Sequence, residues 1–243
     1  MDSDIAISKK GINRRNLGLR IVLLAFFCIP LFYVYDFYQH FYAYLTGNII
    51  TKVITEQWTI VLLSILLFLA CLIPLSFRRK AKWTEYGLVS AFFVSLFIEM
   101  YGIPFTILFA QRWMYNSDVA LPGEVVHFRF LGVGFGMDLA MAWGALLMIF
   151  GAVLVIVGWV TLYINVKRNN VVTNGIYMYS RHPQYLGFIL IILGWLIGWP
   201  TILTVVLAPL LIYKYIRVCQ AEEKEITSPE EYEAYRKAVP FLI

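Results

Sequence analysis

Four runs of about twenty or more mostly apolar residues dominate this chain, and a run of that length is what a helix needs to cross the hydrocarbon core of a bilayer. The first extends from about Leu17 to Leu45, the second from about Trp58 to Phe77, the third from about Tyr86 to Ala110, and the fourth from about Met137 to Ile164. Two shorter apolar segments follow, Tyr185–Gly198 and Thr201–Val218, separated by Trp199-Pro200. Proline cannot continue the helix that precedes it, so this break predicts a tight helical hairpin. Only 14% of residues are charged and the mean hydropathy is +0.73, whereas soluble domains carry about 25% charged residues. A chain this apolar cannot hide its surface in one aqueous core, and lipid must solvate it. The expected fold is therefore all-α: a polytopic transmembrane bundle of four spans plus a hairpin. A short charged helix follows from Ser228 to Ala238, with Pro229 in its first turn and Glu230 and Glu231 at its N-terminal end.

Charge orients the bundle. Lys9, Lys10, Arg14 and Arg15 precede the first run and Arg20 stands at its start. That pattern is found in signal peptides, but the run is too long and too aromatic, so a retained span is expected. With the N-terminus in the cytoplasm, only Lys52, Arg112 and Arg129 of the 20 Lys and Arg residues fall outside, as the positive-inside rule requires. The net charge of +5 then reflects a basic rim against membrane lipids, and no nucleic-acid partner is called for. Cys28, Cys71 and Cys219 have neither disulfide nor metal-ligand spacing and are expected to pack. Oligomeric state is not legible.

Chemistry is expected where the apolar pattern is interrupted at the cytoplasmic interface. Residues 169–187 are rich in hydrogen-bonding and aromatic groups, with Gly175 suited to a sharp turn and Pro183 to the first turn of the next helix. Free backbone N–H groups at that helix start can bind a carboxylate. A lone histidine such as His182 near a helix start is nonetheless more often a cap than a catalyst. At the far end of the hairpin lie Lys214, Arg217, Gln220, Glu222, Glu223, Lys224 and Glu225. By spacing alone they are solvated charges pairing at i,i+4, although a hairpin returns them to the side of the Arg181-His182 turn.

Three motifs in order change that weighting. The string Gly175-x-Tyr177-x-x-x-Arg181-His182-Pro183-x-Tyr185-x-Gly187, an apolar hairpin with Glu222-Glu223 after it, and Glu231-Tyr232-x-x-Tyr235-Arg236-x-x-Val239-Pro240 together resemble the C-terminal signature of the isoprenylcysteine carboxyl methyltransferases. The wider family includes phospholipid N-methyltransferases. The resemblance covers about residues 165–243. It departs from many relatives in a slightly shorter Glu225–Tyr232 segment and in Ile176 where proline is common. It implies an S-adenosylmethionine-dependent methyltransferase, with S-adenosylhomocysteine as product. Residues 1–164 would then form a membrane anchor with access for a lipophilic acceptor, and 165–243 the cofactor region. Carried over, Val172, Tyr177, Arg181, His182, Pro183, Tyr185, Gly187, Glu222 and Glu223 would surround the cofactor. The two glutamates would hold its ribose hydroxyls or ammonium group, and Arg217, Glu222 and His182 are the candidates for the catalytic step. The acceptor stays open among a carboxylate, an amine and a thiol.

Membrane NADPH-dependent sterol or enone reductases share an Arg-His-Pro-x-Tyr-x-Gly motif, but carry an acidic residue just after the glycine where Phe188-Ile189-Leu190 stands here. A non-catalytic scaffold that kept the fold is the third reading. Asp36 and Glu99, inside predicted spans, either line an acceptor entrance, or each lies near a helix end or bonds a nearby tyrosine such as Tyr33 or Tyr101. His40 and His127 are expected to be interfacial and without a special role. Gly132-x-Gly134-x-Gly136 has no strand before it in this reading and is taken as a flexible entry to the fourth span. Gly194-x-x-x-Gly198 is expected to mark close helix packing.

Overall fold

A computed structural model of the chain describes residues 17–18, 21–48, 122–130, 132–165, 172–224 and 229–242. The second and third expected spans, Glu99, Cys71 and the Ser228 cap lie outside the described residues. The helices are α1 (Ile21–Phe32), α2 (Val34–Leu45), α3 (Leu139–Asn165), α4 (Pro183–Gly198), α5 (Ile202–Lys224) and α6 (Pro229–Ala238). Among them α3 and α5 are each long and apolar enough to cross a membrane, and the α1–α2 pair is so if taken as one span. Their outward faces, such as Ile149, Val153, Ile156 and Val160 on α3 and Val206 and Leu210 on α5, are exposed and apolar. The chain is an integral membrane protein.

Three expectations change. The first run is not one continuous helix but is broken between α1 and α2. Pro30, in the last turn of α1, lacks the N–H that would extend the ladder, which is a usual cause of such breaks. The second arm of the hairpin is not short either, since α5 runs for 23 residues through Pro209. Nor is the chain all-α. Strands β1 (Glu124–Phe130) and β2 (Val133–Asp138) pair antiparallel, with His127 opposite Gly136 and Phe130 opposite Val133. The glycine run is therefore half of a β-hairpin rather than a flexible entry, and Gly132 takes a left-handed φ of 81° at its turn.

By contacts the chain forms two compact units, one of Met1–Val34, Met148–Ile191 and Lys214–Ile243, the other of Tyr35–Leu147 and Ile192–Tyr213. In the second unit α2 buries Phe37, His40, Ala43 and Tyr44 on one face. Phe37 meets the edge of Trp143 at 6.1 Å. His40 is wholly buried (0% exposed), contrary to its expected interfacial place, and its Nδ1 lies 2.7 Å from Asp138 Oδ2. The carboxylate can only accept, so Nδ1 donates. Asp138 Oδ1 accepts the backbone N–H of Met141 at 2.9 Å, which caps the start of α3. One aspartate thus fixes a helix start and a histidine from another helix. At the start of α5, the Thr201 hydroxyl accepts from the Thr204 N–H and the Thr204 hydroxyl from the Thr201 N–H, a reciprocal cap. Asp36, by contrast, is exposed in the first turn of α2, and Cys28 and Cys219 are free thiols.

Close approach of α3 and α4 rests on glycine. In the second unit a Cβ on Gly144 would sit 2.5 Å from the Gly194 carbonyl and 2.8 Å from the Gly198 nitrogen, as expected for the Gly194-x-x-x-Gly198 pair. In the first unit a Cβ on Gly151 would meet the Gly187 carbonyl at 2.5 Å, and a Cβ on Gly187 the Gly151 carbonyl at 2.5 Å. Backbones this close leave no space for any side chain.

Two predictions follow from this packing. His40→Ala leaves Asp138 buried without its partner and should cost about 3–5 kcal/mol, read as a fall in the unfolding midpoint of detergent-solubilised protein. Gly187→Ala should cost about 1–3 kcal/mol by overpacking. An unchanged midpoint for either variant would mean the contact carries no stability.

Candidate active site

The polar segment between α3 and α4 folds back on α3. Gly175 has a φ of 62° and opens a 3₁₀ turn, Gly175–Met178, that buries Tyr177. A residue with a side chain would be strained there. The His182 carbonyl accepts the first helical bond of α4, from Leu186 N–H at 3.0 Å, and Pro183 occupies the first helical position, where no N–H is needed. The tail closes over this turn. Arg181 N–H donates to the Pro240 carbonyl at 3.1 Å, and the Tyr235 hydroxyl donates to the Tyr177 carbonyl at 2.7 Å. The Phe241 ring lies edge-on to His182 at 5.1 Å and under the Arg181 guanidinium at 5.4 Å.

Glu223, in the last turn of α5, organises the charges. A single oxygen, Oε1, lies 2.7 Å from Arg181 Nη1 and 3.0 Å from His182 Nε2. All three side chains are nearly buried, at 10% to 13% exposed, so the pair is drawn far from bulk water. The Arg181 N–H directions do not aim at that oxygen: Nε and Nη1 are buried with no aligned acceptor among the described residues, although Nη1 is close enough for an ion pair. Glu222, one residue earlier and exposed, accepts a hydrogen bond from the Tyr185 hydroxyl.

These groups line a cavity of about 250 Å³, a little under the size usual for small-molecule sites. Leu162 from α3 and Val172 form part of its apolar wall. Tyr177, Arg181, His182, Gln184 and Tyr185 come from the turn and the start of α4. Glu222 and Glu223 come from α5, and Tyr232 and Tyr235 from α6. Burial pushes the Tyr177 hydroxyl up to about 12, with the Glu222 charge adding to it. Burial also raises Tyr235, with help from Tyr232 and Tyr177 beside it. Tyr232 is raised by burial and by its hydrogen bond to Glu223. The three hydroxyls therefore stay protonated at neutral pH and act as donors and apolar faces. Among the described residues no group of three His, Cys, Asp or Glu side chains could hold a metal.

Of the residues expected around a ligand, Val172, Tyr177, Arg181, His182, Tyr185, Glu222 and Glu223 meet at this cavity. Pro183 and Gly187 do not line it: the first is fully buried at the helix start and the second packs against Gly151. Arg217 is exposed on α5 and is not part of the wall. Leu162 and Gln184 join the site without having been singled out. Gln184 stood at an unspecified position of the motif, and Leu162 lies in the last turns of an apolar span with nothing in its type to mark it.

A family model for the isoprenylcysteine carboxyl methyltransferase family matches residues 141–228, which hold the turn, the hairpin and both glutamates. The chain is also 38% identical over 80 residues to the protein-S-isoprenylcysteine O-methyltransferase of Schizosaccharomyces pombe, an alignment covering 30% of this chain and 34% of that protein. The chain thus spans about a third of the length of this curated relative. No solved structure matches it.

The raised tyrosines carry a sign that can be checked. Tyr177 holds its proton more tightly folded than unfolded, where its ordinary value is 10. The stability it contributes is complete below pH 10 and is lost as pH rises through about 12. Tyr177→Phe should flatten the alkaline fall in unfolding midpoint over that window, measured as midpoint against pH.

Proposed function

We propose that the chain is an integral membrane methyltransferase that uses S-adenosylmethionine to methylate the carboxylate of a lipophilic acceptor of the prenylated-cysteine or isoprenoid-acid kind. The observation that carries this reading is the Arg181–Glu223–His182 cluster, with Glu222 beside it, on the wall of one cavity. It places buried N–H donors and carboxylates around a space faced by tyrosine rings. A zwitterionic amino-acid group with an adjacent sulfonium has matching chemistry. Its carboxylate suits Arg181, its ammonium suits Glu222 and Glu223, and its sulfonium suits the faces of Tyr177 and Tyr185. The family match over residues 141–228 and the name of the Schizosaccharomyces pombe relative support methylation of an isoprenylcysteine-type carboxylate.

When bound, the cofactor supplies an electrophilic methyl group. The protein's part is then alignment, exclusion of water and charge complementarity. A carboxylate acceptor is already ionised and needs no general base. That suits the geometry at His182, whose Nε2 is spent on Glu223 and which acts here as a positioning group. A lipid amine arriving as an ammonium ion would need a free base, and no observation favours one. The acceptor would enter from the bilayer and the cofactor from the cytoplasm, with the N-terminus, the site and the C-terminus on the cytoplasmic side.

The test is titration of S-adenosylhomocysteine into the detergent-purified full chain, with methyl transfer to a prenylated cysteine as a second readout. The unsubstituted chain should bind saturably and transfer. Glu223→Gln keeps the shape but removes the charge that holds Arg181 and His182, and should weaken binding by roughly 2–5 kcal/mol, as breaking a buried charge pair does. Binding of NADPH in place of S-adenosylhomocysteine would move the assignment to the reductases, and binding of neither would leave a scaffold.

A further inference from the structure

We infer that the β1–β2 hairpin is a phospholipid-binding element: the face that carries Val126 and Phe128 lies in the lipid interface where α3 begins, and Arg129, on the other face, pairs with a lipid phosphate. None of these residues lines the cavity, so the inference stands apart from the cofactor reading. Its support begins with the register. Val126 pairs with Met137, Phe128 with Phe135 and Phe130 with Val133, and opposed positions of an antiparallel ladder share a face. One face of the ribbon therefore holds six apolar positions and no polar one. On it Val126 is 37% and Phe128 44% exposed.

The other face is built differently. His127 stands opposite Gly136 and Arg129 opposite Gly134. Glu124, beyond a register shift in β1, reaches this face too: its carboxylate fills the space that a Cβ on Gly136 would take, and lies 3.0 Å from His127 Nδ1. Glu124 and His127 thus engage each other, while the Arg129 guanidinium has no partner among the described residues.

Three constraints choose the occupant of the apolar face. First, β2 ends at Asp138 and α3, long and apolar enough to cross a membrane, starts at Leu139. The hairpin therefore leaves the span where hydrocarbon gives way to headgroups, and its apolar face continues the exposed apolar surface that α3 presents at Leu146. Second, a two-stranded ribbon is marginal in water and needs an apolar surface against one face, and among the described residues this sheet has two strands. Third, the hydrocarbon core is excluded, because both ribbon edges carry backbone N–H and C=O groups that lipid tails cannot pair. What is left is the interface. There water and headgroups satisfy the edges while valine and phenylalanine sink toward the acyl chains. Charge agrees, since Arg129 is then held at headgroup level, where a phosphate accepts from its N–H fork.

The experiment places a tryptophan on each face of the full chain in phosphatidylcholine nanodiscs, which leave both membrane surfaces open to the medium. Emission of the unsubstituted chain, with its seven native tryptophans, is subtracted. The added emission of Phe128→Trp should be largely lost to phosphatidylcholine brominated on its acyl chains and little changed by aqueous iodide. His127→Trp, one residue away on the other face, should show the reverse. Adding Arg129→Glu to Phe128→Trp should weaken the bromine quenching and admit iodide; unchanged quenching would overturn the phosphate contact. Iodide quenching of Phe128→Trp as strong as that of His127→Trp would put the face in water. Protection from both quenchers would mean that protein, a second copy or another chain, covers it. Equal bromine quenching at the two positions would put both faces in lipid. Each of these three results overturns the inference. If Phe128→Trp does not fold, Val126→Trp reads the same face.

Discussion

In lipid, apolar side chains gain nothing by leaving one another's company for the solvent, so helices associate through close packing and not through a hydrophobic force. The contact of α3 with α4 is built on that constraint. Gly151 and Gly187 let two backbones touch where any side chain would intrude. Seven residues further along α3, Gly158 receives Gln184 in place of a backbone. The same approach that holds the helices together therefore fixes where the start of α4 lies against α3. The Arg181-His182-Pro183 turn is thus anchored by packing as well as by its polar groups.

The polar groups complete what packing begins. A helix start presents free N–H groups, and here the preceding Arg181 and His182 side chains converge on one oxygen of Glu223. Removing three charged or polar groups from water is expensive, and their mutual attraction offsets that cost only when geometry is good. Such a cluster is a poor device for stability alone. It is a good one for holding donors in a fixed place around a small anionic or zwitterionic group. The tail adds the closing contacts, through Tyr235 to the Tyr177 carbonyl and Arg181 N–H to the Pro240 carbonyl, so three separated sequence motifs become one wall.

Hydropathy and motif order carried much of this in the sequence. Long apolar runs require helices, and the Trp199-Pro200 break requires a turn, so α3 and α4 were legible to within two residues at each end, whereas α5 continues past its apolar run to Lys224. Seven of the nine residues expected around a ligand line the cavity. The two that do not, Pro183 and Gly187, are types whose usual work is in the backbone: one starts a helix without an N–H and the other admits a neighbouring carbonyl. Their place in a motif does not by itself distinguish touching a ligand from shaping what touches it. The β-hairpin had a signal that was passed over. Val126, Phe128 and Phe130 alternate with His127 and Arg129 before Leu131-Gly132, a period of two ending in a turn. The glycines at 144, 151 and 158 likewise repeat every seven residues and mark one face of a helix.

Other features had no sequence signal. His40 and Asp138 are 98 residues apart, and nothing local in either neighbourhood says they meet. His40 alone reads as an interfacial polar residue, and Asp138 stands at the edge of the fourth apolar run. Only burial turns them into a pair, since a carboxylate without a donor in an apolar setting would be costly. What distinguishes these residues is the balance of desolvation against partners, a property of the assembled surroundings and not of the residue or its sequence neighbours. The buried His40 is thus a place where a polar group left water and the chain had to supply its partner, Asp138.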